Sequence, residues 1–93
     1  KTVRQGETCE LQVGVRAHGN AEPQRHVVHV AVYDPTGQQQ RHYRQNVVAS
    51  QGRAAVAIPF TLNETPGKWQ ILLTEVATGS HVERRVEMRS RLR

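Results

Sequence analysis

The chain has 93 residues, which is the size of one domain rather than two. Hydrophobic residues make up 37% of it, and no apolar run approaches the roughly 18 residues that are needed to cross a bilayer. The net charge is +5, and the single cysteine excludes an internal disulfide. Because the chain opens at Lys1 without an initiator methionine, we expect it to be a piece of a longer protein.

The first part of the chain predicts a short edge strand and then a longer strand. Residues 2–6 predict the edge strand, and residues 7–17 predict a strand in which every second residue is apolar. Gly14 suggests a β-bulge in the longer strand or a close approach by a neighbouring segment. Cys9 falls on its inward side, which favours a small buried hydrophobe over a reactive thiol. Residues 18–24 predict a polar loop.

The middle of the chain predicts a second long strand and a tight turn. Residues 25–33 predict the strand, and residues 34–37 (Asp-Pro-Thr-Gly) predict the turn, because proline presets φ and glycine accepts a positive φ. Residues 41–49 keep no single alternation, so they predict a bent edge strand with a break near Asn46. The outward positions of the 25–33 strand have little polarity, which predicts a central strand or a strand whose outer side is covered by another domain. These outward residues are Val27, His29, Ala31 and Tyr33.

The last part of the chain predicts three more strands. Residues 53–60 alternate cleanly, and Pro59 either ends that strand or places it at a sheet edge. Residues 61–67 predict a connection that crosses between two sheets. Residues 68–76 and 81–88 then predict two further strands, the first of which carries the only tryptophan on its inward side.

These elements together predict an all-β, antiparallel β-sandwich of about seven strands. We expect residues 1–88 to form one domain and residues 89–93 to form a basic tail or the start of a linker.

Four groups of turn and core residues carry a resemblance to a known class of domain. They are Val30-x-Val32-Tyr33-Asp34-Pro35-x-Gly37, then Gly52 before an apolar strand, then Pro66-Gly67-Lys68-Trp69-x-Ile71, and then Val76-x-Thr78-Gly79. On the basis of these four groups, the stretch from Val28 to Met88 resembles the macroglobulin-like and immunoglobulin-like β-sandwich domains of large exported bacterial proteins. The resemblance implies an immunoglobulin-like arrangement of the predicted strands.

The resemblance also implies a setting for the domain. Domains of this kind are accessory modules of multidomain polysaccharide-degrading enzymes, such as β-galactosidase-like glycoside hydrolases. They carry no catalytic residues, so we expect a noncatalytic structural or interaction module rather than an enzyme. The implied location is outside the cytoplasm: periplasmic, on the cell surface or secreted. The implied partners are the neighbouring domains of the same polypeptide, with polysaccharide as a further candidate ligand.

The residue pattern predicts neither a metal site nor a bound cofactor. His26 and His29 are three apart on one strand, which places them on opposite sides of the sheet, and a zinc site needs three or four converging ligands. His29 and His42 could approach each other across neighbouring strands, but two ligands make a weak site. The serines lie in no nucleophile elbow, and the glycines are spread singly through turns rather than grouped into a phosphate-binding loop.

Carbohydrate binding is the first alternative function. Trp69 and Phe60 fall at inward positions and are expected in the core, which leaves Tyr33 and Tyr43 as aromatic rings for a sugar platform. The 34–40 connection could return one strand beside the other. The candidate binding residues are therefore Tyr33, Arg41, His42 and Tyr43, and the same residue types also favour a contact between domains.

Binding of a polyanion or an acidic protein surface is the second alternative. The last ten residues are rich in arginine, and Glu87 is their one acidic residue. We expect no nucleic-acid partner, because no aromatic residue is interleaved with these charges. The arginines concerned are Arg84, Arg85, Arg89, Arg91 and Arg93.

Overall fold

The computed structural model describes residues 1–15 and 26–91, and over these residues strands are the main structure, with one single-turn helix. The all-β prediction is therefore confirmed. The predicted loop at 18–24 lies outside the described residues. The described elements are β1 (Thr2–Arg4), β2 (Thr8–Gly14), β3 (His26–Tyr33), the single-turn 3₁₀ helix η1 (Arg41–Tyr43), β4 (Gln45–Ala49), β5 (Arg53–Pro59), β6 (Gly67–Glu75) and β7 (His81–Arg89).

The strands form a five-stranded sheet and a two-stranded sheet. The larger sheet has the order β1-β7-β6-β3-β4, and β2 pairs with β5 in the smaller one. The prediction of wholly antiparallel pairing is wrong at one edge, since β1 runs parallel to β7 with Val3 opposite Met88. All the other strand pairs in the described residues are antiparallel. The 60–66 connection joins the smaller sheet to the larger one, as the sequence predicts.

One hydrophobic core joins the two sheets. The alternation seen in the sequence is the alternation of burial, as in β5, where every second residue is buried. Cys9 is fully buried, as predicted, and burial raises the pKa of its thiol. The largest fully buried side chains are Trp69, Ile58, Ile71, Leu73 and Met88.

Two local predictions are wrong. Gly14 makes no bulge, because the β2–β5 register runs without a break from Thr8 opposite Pro59 to Gly14 opposite Arg53. No described neighbour approaches it closely either, since a Cβ at Gly14 would meet nothing within 4 Å. Residues 41–49 do not form one bent strand with a break near Asn46. Instead η1 turns the chain so that Tyr43 enters the core, and Asn46 lies inside the regular edge strand β4.

The predicted turn after β3 is confirmed. One carboxylate oxygen of Asp34 accepts the backbone N–H groups of Thr36 and Gln38 at 2.9 and 3.0 Å, and Gly37 has a φ of +88°. Hydrogen bonds, above all from the Thr36 hydroxyl, lower the pKa of this carboxyl. The next residue, Pro35, packs against Gly67, where a Cβ would lie 2.8 Å from the proline ring. The Asp-Pro-x-Gly and Pro-Gly-x-Trp groups of the sequence therefore meet in space.

Candidate functional site

The ring of Tyr43 lies in the core rather than on the surface. Tyr43 is 5% exposed, and its ring centroid lies 5.0 Å from that of Phe60 and 6.3 Å from that of Trp69. The expectation that this ring serves as an exposed sugar platform is therefore wrong. The reason is local: the turn of η1 reverses the alternation that would have pointed Tyr43 outward in a continuous strand.

The hydroxyl of Tyr43 ties η1 to the connection between β5 and β6. It accepts the backbone N–H of Thr61 at 3.0 Å and donates a hydrogen bond to the carboxylate of Glu64. The ring nitrogen Nε2 of the exposed His42 lies 3.3 Å from the same carboxylate. Burial and the bond to Glu64 raise the pKa of Tyr43, so the hydroxyl remains a neutral donor. This cluster joins two segments that are far apart in sequence.

Tyr33 lies apart from the cluster around Tyr43. It ends β3 on the outer side of the five-stranded sheet, where it lines a shallow depression of about 320 Å³ together with Gly37, Gln70, Leu72 and Glu83. Arg41, His42 and Tyr43 do not line this depression. Among the described residues the structure thus does not bring the four predicted binding residues to one concave site. A binding role for Tyr33, Arg41, His42 and Tyr43 remains a prediction.

A group of exposed valines lies on the outer side of the same sheet, at the end farther from Tyr33. Val27 in β3 stands opposite Val48 in β4, and the backbone N–H of Val76 donates to the carbonyl of Val27 at 2.9 Å. The exposed fractions are 36% for Val27, 55% for Val48 and 59% for Val76. These three residues are called the valine patch below. They bring three exposed branched side chains into one cross-strand row.

The outer side changes in character from the valine patch toward β7. Ala31 and Leu72 face each other between β3 and β6 and are buried and half-buried, respectively, at positions where a solvent-facing sheet would carry polar groups. Beyond them, β7 contributes the exposed charged residues Glu83, Arg85 and Glu87. The outer side is therefore largely apolar along β3 and β4, apart from the pair His29 and Asn46, and charged along β7.

The predicted basic residues are exposed but do not share one side of the sheet, since Arg84 lies on the inner side of β7 and Arg85 on the outer side. Arg84, Arg85, Arg89 and Arg91 are all exposed, and Arg93 lies outside the described residues. β7 continues to Arg89, and the backbone N–H of Arg91 donates to the side-chain oxygen of Gln5 at 3.0 Å. The prediction of a tail or linker at 89–93 remains a prediction.

The histidines of β3 have separate partners, as their spacing predicts. Nδ1 of His26 lies 3.1 Å from the Glu75 carboxylate on the inner side of the sheet. Nδ1 of His29 lies 2.8 Å from the side-chain oxygen of Asn46 on the outer side. His42 instead contacts Glu64. Over residues 1–15 and 26–91, no three side chains of His, Cys, Asp or Glu converge as metal ligands would.

Glu75 fixes the turn between β6 and β7. Glu75 is 8% exposed, and one of its carboxylate oxygens accepts the backbone N–H and the hydroxyl of Thr78 at 2.7 and 2.6 Å. The Thr78 hydrogen bonds, with a contribution from His26, lower the pKa of Glu75 to about 2.

The low pKa of Glu75 predicts a loss of stability in acid. A carboxyl whose pKa is lower in the folded state stabilises the fold above its unfolded value, and it loses that contribution as the pH falls toward the folded value. We therefore expect the stability difference between the native chain and Glu75→Gln to shrink between about pH 4.5 and pH 2. Urea unfolding at pH 6, 4, 3 and 2 measures it, with the exposed Glu83→Gln as the control. A native–variant difference that is the same at every pH would contradict this role of Glu75.

Sequence reasoning identified part of this surface and missed the rest. The low polarity of Val27, Ala31 and Tyr33 correctly marked the outer side of β3 as unusual. Val48 and Leu72 could have been found by the same test, since both are apolar at outward positions of strands that flank β3. Val76 could also have been found, since it falls at an outward position of the predicted strand 68–76, although β6 itself ends at Glu75.

The chain matches no protein-family model, and no curated protein matches it at a significant level. Within the part of the chain that the structure describes, no helix is long and apolar enough to span a membrane.

Proposed function

We propose that this chain is a noncatalytic structural and interaction module of a larger, exported bacterial protein, with a carbohydrate-active enzyme as the parent. In this proposal the outer side of the five-stranded sheet docks a neighbouring domain of the same polypeptide. The rest of the fold holds that side rigid and sets the positions at which the chain enters and leaves the module. The module acts outside the cytoplasm together with its parent.

The strand order supports an immunoglobulin-like arrangement as part of this proposal. In such folds, one sheet holds the third, sixth and seventh strands of the sequence side by side, and the second and fifth strands belong to the opposite sheet. Here β3, β6 and β7 are neighbours in the larger sheet, and β2 pairs with β5 in the smaller one. The first strand lies beside β7 instead of β2, so the correspondence is partial.

The valine patch is the observation that carries the docking proposal. A sheet with one side in water normally places polar residues there, whereas here three adjacent valines of the outer side are exposed. Single exposed apolar residues are ordinary, but a contiguous group marks an interaction surface. The exposed charged residues of β7 lie on the same side of the sheet beyond Ala31 and Leu72, where they form a polar border to the apolar positions of β3 and β6.

Replacing the valine patch tests the docking proposal. The triple variant Val27→Thr, Val48→Thr and Val76→Thr keeps β-branched side chains and removes exposed apolar surface. We expect unfolding of the isolated module to change little, because exposed substitutions lie within about 0.5 kcal/mol each. In the parent protein we expect the same variant to separate the unfolding of the module from that of its neighbour, seen as two calorimetric transitions in place of one.

The control for this test is Leu62→Thr, which alters an exposed apolar residue in the connection between β5 and β6. It should leave the parent's unfolding profile as it is in the native protein. A parent protein that unfolds in the same way with and without the triple substitution would contradict docking through the valine patch.

Carbohydrate binding is the second candidate function, and the depression beside Tyr33 favours it. An aromatic ring, an amide and a carboxylate, from Tyr33, Gln70 and Glu83, surround a half-buried leucine there. This combination of apolar contact and a few polar groups is typical of small-ligand sites. An oligosaccharide bound there would shift the NMR signals of Tyr33 and Gln70 and leave those of Val48 unchanged, which separates the two candidates.

A further inference from the structure

The outer edge of β2 is an open row of backbone hydrogen-bonding groups. Val15 donates its backbone N–H to Gly52 at 2.8 Å, and Phe60 donates to Glu7 at 3.2 Å, which fixes which β2 residues bond to β5. Antiparallel pairing alternates, so Cys9, Leu11 and Val13 also point their N–H and C=O groups at β5. The other residues of β2 point their backbone N–H and C=O groups away from β5, and no described residue hydrogen-bonds to those groups. These residues are Thr8, Glu10, Gln12 and Gly14.

Two of the other edge strands, β1 and β5, carry recognised protection, and β2 does not. β1 is three residues long, which is a short edge. The outer edge of β5 ends in Pro59, and the side chain of Gln45 in β4 donates to the carbonyl of Ala57 on that edge at 3.0 Å. β2 has seven residues, no proline, no lysine and no bulge. An unprotected edge of this length is a template for another strand.

The inner side of β7 is left uncovered beside the same edge. β5 contacts β4, so β2 lies on the side of β5 that faces β6 and β7. On the inner side of β7, Val86 and Met88 are buried, whereas Val82 is only half-buried and Arg84 is exposed. Arg84 is exposed even though its partner across the β6–β7 pair, Ile71, is fully buried. The smaller sheet therefore ends before it covers the first half of β7.

The direction of the strands places the two features at the same end of the fold. β1 and β7 run parallel, and a short turn, in which Glu7 donates its backbone N–H to Arg4 at 3.0 Å, leads from β1 into β2. β2 consequently starts near the end of β7 and runs back toward its beginning. Gln12 and Gly14, the later open positions of β2, therefore lie toward Val82 and Arg84.

We propose that an added strand completes the smaller sheet by pairing with the outer edge of β2, and that a segment of the parent polypeptide outside these 93 residues supplies it. This rests on the proposed function to the extent that the chain is a module of a longer protein. The added strand alternates apolar and polar side chains, with its apolar side chains over Val82 and Leu11, both half-buried. It carries a carboxylate at the position that faces Arg84, because that cation stands on the inner side of the sheet. Main-chain hydrogen bonds hold it, as in other cases of strand addition.

Amide hydrogen exchange in the parent protein and in the isolated 93-residue chain tests this proposal. In the isolated chain, the amides of Thr8, Glu10, Gln12 and Gly14 exchange rapidly. In the parent they exchange at least about 100-fold more slowly, since each then donates to the added strand. The amides of Cys9, Leu11 and Val13 already donate to β5 and serve as internal controls that are slow in both proteins.

A variant pair checks that the protection comes from pairing. In the parent, Gln12→Pro removes one outward N–H and speeds the exchange of Glu10 and Gly14, whereas Gln12→Thr leaves both slow. The proposal is overturned if the four amides exchange equally fast in the parent and in the isolated chain. That result would also be seen if a separate polypeptide, rather than the parent, supplied the strand. Slow exchange of all four in the isolated chain would also overturn it. Docking through the valine patch has a separate readout, so either proposal can fail alone.

Discussion

Trp69→Ala is expected to lower the free energy of unfolding by about 3–5 kcal/mol, the range for removing a large buried aromatic side chain. Trp69 is fully buried, and its ring packs edge to face against Phe60 at a centroid distance of 5.1 Å. Its indole N–H donates to the carbonyl of Thr65 at 2.8 Å. The substitution therefore opens a cavity and leaves that carbonyl without its donor.

The size of this effect matters because the domain is small. A chain of this length has a total stability of about 5–14 kcal/mol, so the variant loses a large share of it. Urea unfolding followed by circular dichroism measures the change, since the variant lacks the tryptophan signal. The exposed neighbour Gln70→Ala is the control and should change stability by no more than about 0.5 kcal/mol. Equal unfolding midpoints for the two variants would contradict a core centred on Trp69.

Tyr43→Phe is expected to cost about 1–3 kcal/mol, the range for leaving buried hydrogen-bonding groups without a partner. The ring stays in place against Phe60, so the change isolates the hydroxyl. Without it, the backbone N–H of Thr61 loses its acceptor, and the carboxylate of Glu64 loses a donor. The connection between β5 and β6 is then held less firmly against η1.

Tyr33→Phe provides the matched control for this prediction. Tyr33 is half-buried on the outer side of the sheet, and its hydroxyl has no hydrogen-bond partner among the described residues. Chemical unfolding of both variants should show a marked loss for Tyr43→Phe and a change near zero for Tyr33→Phe. Equal losses in the two variants would show that the Tyr43 hydroxyl does not link η1 to Thr61 and Glu64.

The strands with strict alternation could be predicted from the sequence, and the exceptions have physical causes. β3, β5 and β6 were located because one side of each is buried, so apolar residues recur at every second position. η1 was missed because a single 3₁₀ turn has too few residues to show a period. The direction of strand pairing could not be predicted either, because a strand of three residues such as β1 does not indicate whether its partner is parallel or antiparallel.

The surface features were predictable only where they repeat along a strand. The outward residues of β3 revealed an unusual side because four of them follow one another at alternate positions. The position of Tyr43 was predicted wrongly, because aromatic residues occur both in cores and on binding surfaces. A shift of one residue in the alternation is enough to move the side chain from the outer side of a sheet to the inner side. The open edge of β2 has no sequence signal at all, because it depends on which strands are its neighbours.

Cysteine accessibility at the valine patch tests the central claim most directly. Native Cys9 is fully buried and its thiol pKa is raised by burial, so it reacts slowly and gives a low background. Val48→Cys adds a thiol to the patch, and Ala55→Cys adds a matched thiol to the exposed outer side of the smaller sheet. Docking predicts that maleimide modifies Val48→Cys at least about 10-fold more slowly in the parent protein than in the isolated module, with equal rates for Ala55→Cys. Equal rates for Val48→Cys in the two proteins would contradict the claim that this side of the sheet docks a neighbouring domain.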